Sequence, residues 1–275
     1  MKSTPASSPA TPTPVPLWSG PRPSRATPLD ASLTFLVRGL LKLRRVPEQA
    51  ADAVLIPIIF TVLFTYLFGG ALAGSTSNYL QSLLPGTLVM TALLVTVYAG
   101  VGLNTDKSRG VIDRFRSMPL WTPAHITGAL LTEGARALVA SAIVIAVGLA
   151  MGFRPGGGIT GVLAAVAIVV AFSVSLAWVW AAIGLVLRTP AAVSTLSFVV
   201  QFPLVFASNV FVDPKTMPDW LRAFVDVNPV SLLATTVRHL MAGTASGAEV
   251  ASVLIASTAI SAAFAPLTMR LYRRA

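Results

Sequence analysis

The chain has 275 residues, 55% of them hydrophobic, with a mean hydropathy of +0.77 and a net charge of +10. Its apolar residues arrive in blocks of about twenty, the length a helix needs to cross bilayer hydrocarbon, which excludes a water-soluble globular domain and predicts an all-α polytopic membrane protein. The basic residues flank these blocks instead of forming one stripe, so no nucleic-acid partner is expected, and with no cysteine there is no disulfide or thiolate chemistry.

Residues 1–28 hold eight of the twenty prolines among many Ser and Thr. Such a composition cannot bury enough surface to fold, and predicts a disordered cytoplasmic tail. The first long apolar run begins only near Ala53, so no signal peptide is expected. Residues 29–275 are read as one transmembrane domain. It opens with "DASLTFLVRGLLKLRR", residues 30–45, in which Leu33, Leu36, Val37, Leu40 and Leu41 share one helical face and Arg38, Lys42 and Arg45 lie opposite. A helix of this kind lies in the membrane interface or packs on the bundle as an ordinary amphipathic helix.

Six spans are predicted, at about 52–72, 83–103, 128–152, 159–187, 191–212 and 249–269. "FRPGGG" joins the third to the fourth and "RTP" the fourth to the fifth, both as tight antiparallel connections. With the N-terminus inside, fifteen of the twenty Lys and Arg fall on the cytoplasmic side and four on the other, leaving Arg136 within a span. That asymmetry predicts a multi-pass protein of the plasma membrane with both termini cytoplasmic.

Between the second and third spans, "DKSRGVIDRFRSMPL" places Asp106, Lys107, Arg109, Asp113, Arg114 and Arg116 within eleven positions. Val111, Phe115 and Met118 fall on one face, predicting a short amphipathic helix that Pro119 ends. Positive charge alone would serve topology. The added acidic residues and apolar stripe suit docking to a soluble partner, with Phe115 as anchor and the charges as rim, against the alternative of a solvated loop helix.

Glu133 and Arg136 stand three apart near the start of the third span, as a functional intramembrane pair or a pair that snorkels to the interface. Gln201 and Pro203 mark either a polar contact and kink in a pathway or packing between helices. The segment 213–245 is too polar to span. Asn228 is an N-cap with Pro229 at the first helical position, and Val230, Leu233, Val237, Leu240 and Met241 form a stripe ended by Gly243. Ahead of it Met217, Trp220, Leu221, Phe224 and Val225 predict a shorter amphipathic helix. Arg238 and His239 belong to the polar face of the longer helix. The two helices gate or line an exit, or simply fix the fifth span to the sixth.

Neither His125 nor His239 belongs to a metal-ligand cluster, no Gly-x-Ser-x-Gly occurs, and none of the four lysines follows a glycine. No catalytic, metal or cofactor residue is therefore expected, and without a Walker-type phosphate loop any active process draws its energy from a partner or an ion gradient.

The order of these features resembles the ABC-2 type exporter permeases, in particular the half-size daunorubicin-resistance permeases of actinobacteria. The resemblance lies in the interface helix "LLKLRRVPEQ", the cytoplasmic "DKSRGVIDRFRSMPL" and the outer "NPVSLLATTVRHLMAG", and it covers nearly everything after residue 29. Gly110, Arg114 and Pro119 match the family's cytoplasmic pattern, with Asp106 and Ser108 where acidic residues are common. Asn228, Pro229, Arg238 and Gly243 match its outer Asn-Pro, Arg, Gly pattern. The resemblance implies a homodimer or heterodimer of six-span halves with two copies of an ATP-binding subunit that holds ATP and Mg, exporting an amphiphilic drug, polyketide, lipid or glycan. An ion-driven secondary transporter and a non-transporting membrane scaffold are the other classes the sequence allows.

Overall fold

A computed structural model of the chain describes residues 27–45, 47–116, 123–212 and 217–274. Residues 1–26, nearly all of the expected tail, lie outside the described residues, as do Met118 and Pro119. Among the described residues there are ten helices and no strand: α1 (Pro28–Arg45), α2 (Pro47–Ala73), α3 (Thr76–Ser108), α4 (Val111–Arg116), α5 (Ala124–Ala150), α6 (Gly158–Val186), α7 (Pro190–Phe206), α8 (Asp219–Val227), α9 (Pro229–Ala242) and α10 (Gly247–Arg274). Four of these, α3, α5, α6 and α10, are long and apolar enough to cross a membrane. Leu55–Ala71 within α2 and the whole of α7 are shorter apolar helices.

Helix α3 is the centre of the bundle and packs against α2, α5, α6, α7 and α9. Its register against α6 is set by small residues: a methyl group on Gly100 would collide with the Trp180 carbonyl, and one on Gly184 with the carbonyl of Gly100. Helices of a membrane protein gain little from the hydrophobic effect between themselves, so close backbone approach of this kind supplies the contact. The far end of the pair is closed by polar groups. Asn104 Nδ2 donates to the carbonyls of Gly184 (2.8 Å) and Leu187 (2.7 Å), and Lys107 Nζ donates to that of Leu185 (2.6 Å). The last carbonyls of α6, which have no partners within their own helix, are thereby capped by side chains of α3.

The span expected at 191–212 is not a single helix. α7 ends at Phe206, and residues 207–212 turn back on the bundle. The apolar run continues past this point, so composition does not reveal the break. Its physical cause is the clamp on the helix end described below, together with Gly86 of α3, whose missing side chain admits the backbone of Val210.

Helix α1 lies along α5. Gly39 faces Thr132 and Gly128 faces Phe35 so closely that neither glycine position has room for a methyl group. Leu33, Val37, Leu40 and Leu41 are consequently turned away from the protein and exposed, as a lipid-facing stripe would be. Helix α8 likewise leaves Trp220, Phe224 and Val227 exposed and buries only Val225.

Candidate functional site

Polar side chains concentrate at two places, at opposite ends of the central helix α3. At the α4 end, α3 stops where Gly110 takes a left-handed conformation (φ 66°), and α4 begins at once. A residue with a Cβ resists that geometry, so this glycine sets the angle between the two helices. Sequence periodicity put Val111 on the apolar face of α4. The residue of α4 that enters the bundle is its neighbour Ile112, fully buried beside Leu103, Ile126, Leu185 and Tyr272. Asp113 and Arg114 are exposed on α4, which also carries Phe115 and Arg116.

Behind α4, one carboxylate gathers four helices. Asp106 Oδ2 at the end of α3 lies 3.0 Å from His125 Nε2 on α5 and 3.7 Å from Arg38 Nη2 on α1. His125 Nδ1 in turn lies 3.2 Å from the Tyr272 hydroxyl on α10. With the imidazole proton on Nε2, His125 donates to Asp106 and accepts from Tyr272, completing the chain of hydrogen bonds. Phe35 of α1 covers the imidazole at a centroid distance of 5.4 Å.

Next to this cluster a cavity of about 400 Å³ opens between α1, α3 and α5, with Arg38, Asp106, Arg109, Glu133 and Arg136 among its lining residues. Glu133 and Arg136 do not snorkel outward; they are 4% and 8% exposed. Their closest approach is 3.6 Å, and the Arg136 guanidinium lies 4.6 Å from the centre of the Tyr98 ring. The structure thus brings Asp106, Arg109, Glu133 and Arg136 to one site, joined by Arg38, His125, Tyr98 and Tyr272, which sequence reasoning did not select. The sequence singles out His125 only as a candidate metal ligand, with no cluster around it. A histidine just after the proline that opens a helix, at the same membrane level as an aspartate, is the signal that was available.

At the other end, Asn228 caps α9 by accepting from the Val230 N–H (2.9 Å), while its Nδ2 donates to the Leu204 (2.8 Å) and Ala207 (3.0 Å) carbonyls. Those carbonyls belong to the end of α7, so one side chain ends one helix and starts another. Pro229 occupies the first position of α9. Arg238 donates from Nε to the Ser82 carbonyl (3.2 Å) and from Nη2 to that of Asn209 (3.0 Å). Gly243 ends α9 in the left-handed conformation (φ 79°), with the Thr244 N–H bonded to the His239 carbonyl. The "FRPGGG" turn docks here: the Gly157 N–H donates to the Met241 carbonyl (2.8 Å), and Gly157 and Gly243 meet backbone to backbone. His239 reaches Glu249 of α10 at 2.9 Å. Gln201 stands apart from both ends, buried in α7 with Nε2 donating to the Leu93 carbonyl of α3 (3.0 Å).

A family model also matches the sequence that builds this framework. The model described as ABC-2 type transporter matches residues 31–242. The chain belongs to the ABC-2 type transporter family. It is 47% identical over 257 residues, 94% of this chain and 91% of the relative, to the daunorubicin resistance ABC transporter permease protein DrrB1 of Streptomyces coeruleorubidus. It is 23% identical over 234 residues, 82% of this chain and 83% of the relative, to a probable doxorubicin resistance ABC transporter permease protein DrrC of Mycobacterium tuberculosis. The apolar helices and these relatives make this ABC-2 type chain an integral membrane protein, similar to membrane permeases of drug-resistance ABC transporters.

Proposed function

We propose that the chain is the permease half of an ATP-driven exporter, with six spans and both termini cytoplasmic. A separate ATP-binding subunit, present in two copies and holding ATP and Mg, docks on residues 104–127. The observation that carries this reading is the Asp106 cluster. It ties the segment leading into α4 to α1, α5 and α10, so a displacement of the loop is felt by three further helices. The second permease half, as homodimer or heterodimer, has a candidate face on α2 and α7. There Phe60, Phe64, Phe206 and Phe211 form a connected set of rings, and Tyr66, Phe68, Phe198 and Phe202 are exposed. The names of the relatives make daunorubicin and doxorubicin the first substrates to test within the wider class of amphiphiles.

Inside-out vesicles containing the chain and an ATP-binding subunit are expected to accumulate daunorubicin on addition of ATP and to continue after an uncoupler collapses the ion gradient. Uptake abolished by the uncoupler while ATP persists overturns the reading. Phe115→Ala is expected to weaken docking of the ATP-binding subunit by roughly 2 kcal/mol, on the order of thirtyfold in affinity, with transport and ATPase stimulation lost together. For topology, Ser77→Cys and Thr244→Cys are expected to react with an impermeant thiol reagent applied to intact cells, and Ser108→Cys to remain unlabelled until the membrane is opened.

A further inference from the structure

The cavity between α1, α3 and α5 has a volume of about 400 Å³, within the range of small-molecule sites. Docking of a soluble subunit on α4 gives it no role. One wall is apolar, formed by Phe35, Ala99 and Leu103, and the other is charged. The charged lining comprises the guanidinium groups of Arg38, Arg109 and Arg136 and the carboxylates of Asp106 and Glu133. These five side chains together carry one positive charge in excess.

Arg136 is the group that makes this a site. It is 8% exposed, and its Nε and Nη1 have no hydrogen-bond partner. Glu133, at 3.6 Å, neutralises its charge without satisfying those donors. Buried donors are almost always satisfied, and donors on a charged group are the most costly to leave unpaired, so the arrangement describes a receptor for an acceptor-rich group. The remaining wall locates the source of that group. The edge of α1 that supplies Phe35 and Arg38 to the cavity adjoins the exposed stripe of Leu33, Val37, Leu40 and Leu41. A molecule whose polar end meets Arg136 therefore leaves the cavity alongside a lipid-facing surface.

We infer that this cavity seats the phosphodiester headgroup of a membrane phospholipid, with Arg136 and Arg109 at the phosphate and the acyl chains running out along the apolar stripe of α1. A phosphodiester carries a single negative charge, equal to the excess in the lining. Free phosphate shares the oxygen chemistry but is a mixture of monoanion and dianion at neutral pH and has nothing to lay against α1.

The test needs neither transport nor the ATP-binding subunit, so its outcome is separate from that of the function proposed above. The full chain, purified in a non-ionic detergent and delipidated, is titrated with dioleoylphosphatidylglycerol, with dioleoylglycerol, which has the same chains and no phosphate, and with inorganic phosphate. Occupancy is read by native mass spectrometry. The expected result is one phosphatidylglycerol per chain, held at least about tenfold more tightly than dioleoylglycerol, with no saturable uptake of inorganic phosphate. The double substitution Glu133→Gln with Arg136→Gln removes both buried charges together and so leaves no lone carboxylate. It is expected to erase most of that preference, and Arg109→Gln, at an exposed position, to reduce it about threefold. If the double variant does not purify as a folded chain, Arg109→Gln decides alone. Equal binding of the two lipids, an undiminished preference in the variants that fold, or displacement of the lipid by inorganic phosphate overturns the assignment.

Discussion

The two ends of α3 are held by different kinds of bond. At the α9 end, side chains grip main-chain carbonyls: Asn228 takes two and Arg238 takes two, while a glycine turn meets α9 backbone to backbone. At the α4 end Asn104 and Lys107 grip carbonyls of α6, but the contacts to α1, α5 and α10 run from side chain to side chain, from Tyr272 through His125 to Asp106 and from Arg38 directly to Asp106. A carbonyl is fixed by its helix and cannot turn to a new partner, whereas a carboxylate or imidazole can exchange one partner for another by rotating. The α9 end is therefore built to stay as it is, while at the α4 end the contacts to α1, α5 and α10, unlike those to α6, can be rearranged at small cost. That is the division of labour expected of a membrane domain driven from one side.

The comparison is tested most severely at Asn228. Asn228→Ala removes an N-cap and strips two buried carbonyls of their donor, and is expected to cost about 3 kcal/mol, read as a shift in the denaturant midpoint of the purified chain. A change below about 1 kcal/mol would show that the α9 end is no more fixed than the other. His125→Phe keeps a ring beside Phe35 but cuts both bonds in the middle of the Asp106 cluster. Its expected cost is about 1.5 to 2 kcal/mol, with a larger fall in substrate-stimulated ATPase activity than any stability loss explains. If activity and stability fall in proportion, the cluster is only structural. The smallest effect is expected at Arg38, whose side chain is 43% exposed and 3.7 Å from Asp106. Screening by solvent limits Arg38→Gln to about 0.5 kcal/mol or less, and denaturant unfolding should barely separate it from the parent chain.

How far the fold could be read from the sequence follows the range of the forces involved. The apolar runs locate the long helices because spanning length is a property of composition. Asn228, Pro229 and Gly243 identify α9 because capping is local. Glu133 and Arg136 announce their pairing through three-residue spacing. The Asp106 cluster is invisible by the same logic, since its partners stand 19 and 147 residues apart along the chain segments they join. The end of α7 was also hidden. Leu204, Val205 and Val210 look like more of the same helix, and the distant Asn228, with the space at Gly86 for the Val210 backbone, stops it at Phe206.

The capping of α6 by Asn104 and Lys107 limits how the bundle can respond to a force on α4. Sliding α3 along α6 by one turn, about 5.4 Å, would strip the carbonyls of Gly184, Leu185 and Leu187 together and drive neighbouring side chains into the space that Gly100 and Gly184 keep clear. A piston stroke along α3 is thus blocked, and α3 and α6 must move as one rigid lever. Under the docking proposed for residues 104–127, a push on the α4 segment reaches the bundle as a tilt of that lever, pivoting on the contacts at the α9 end.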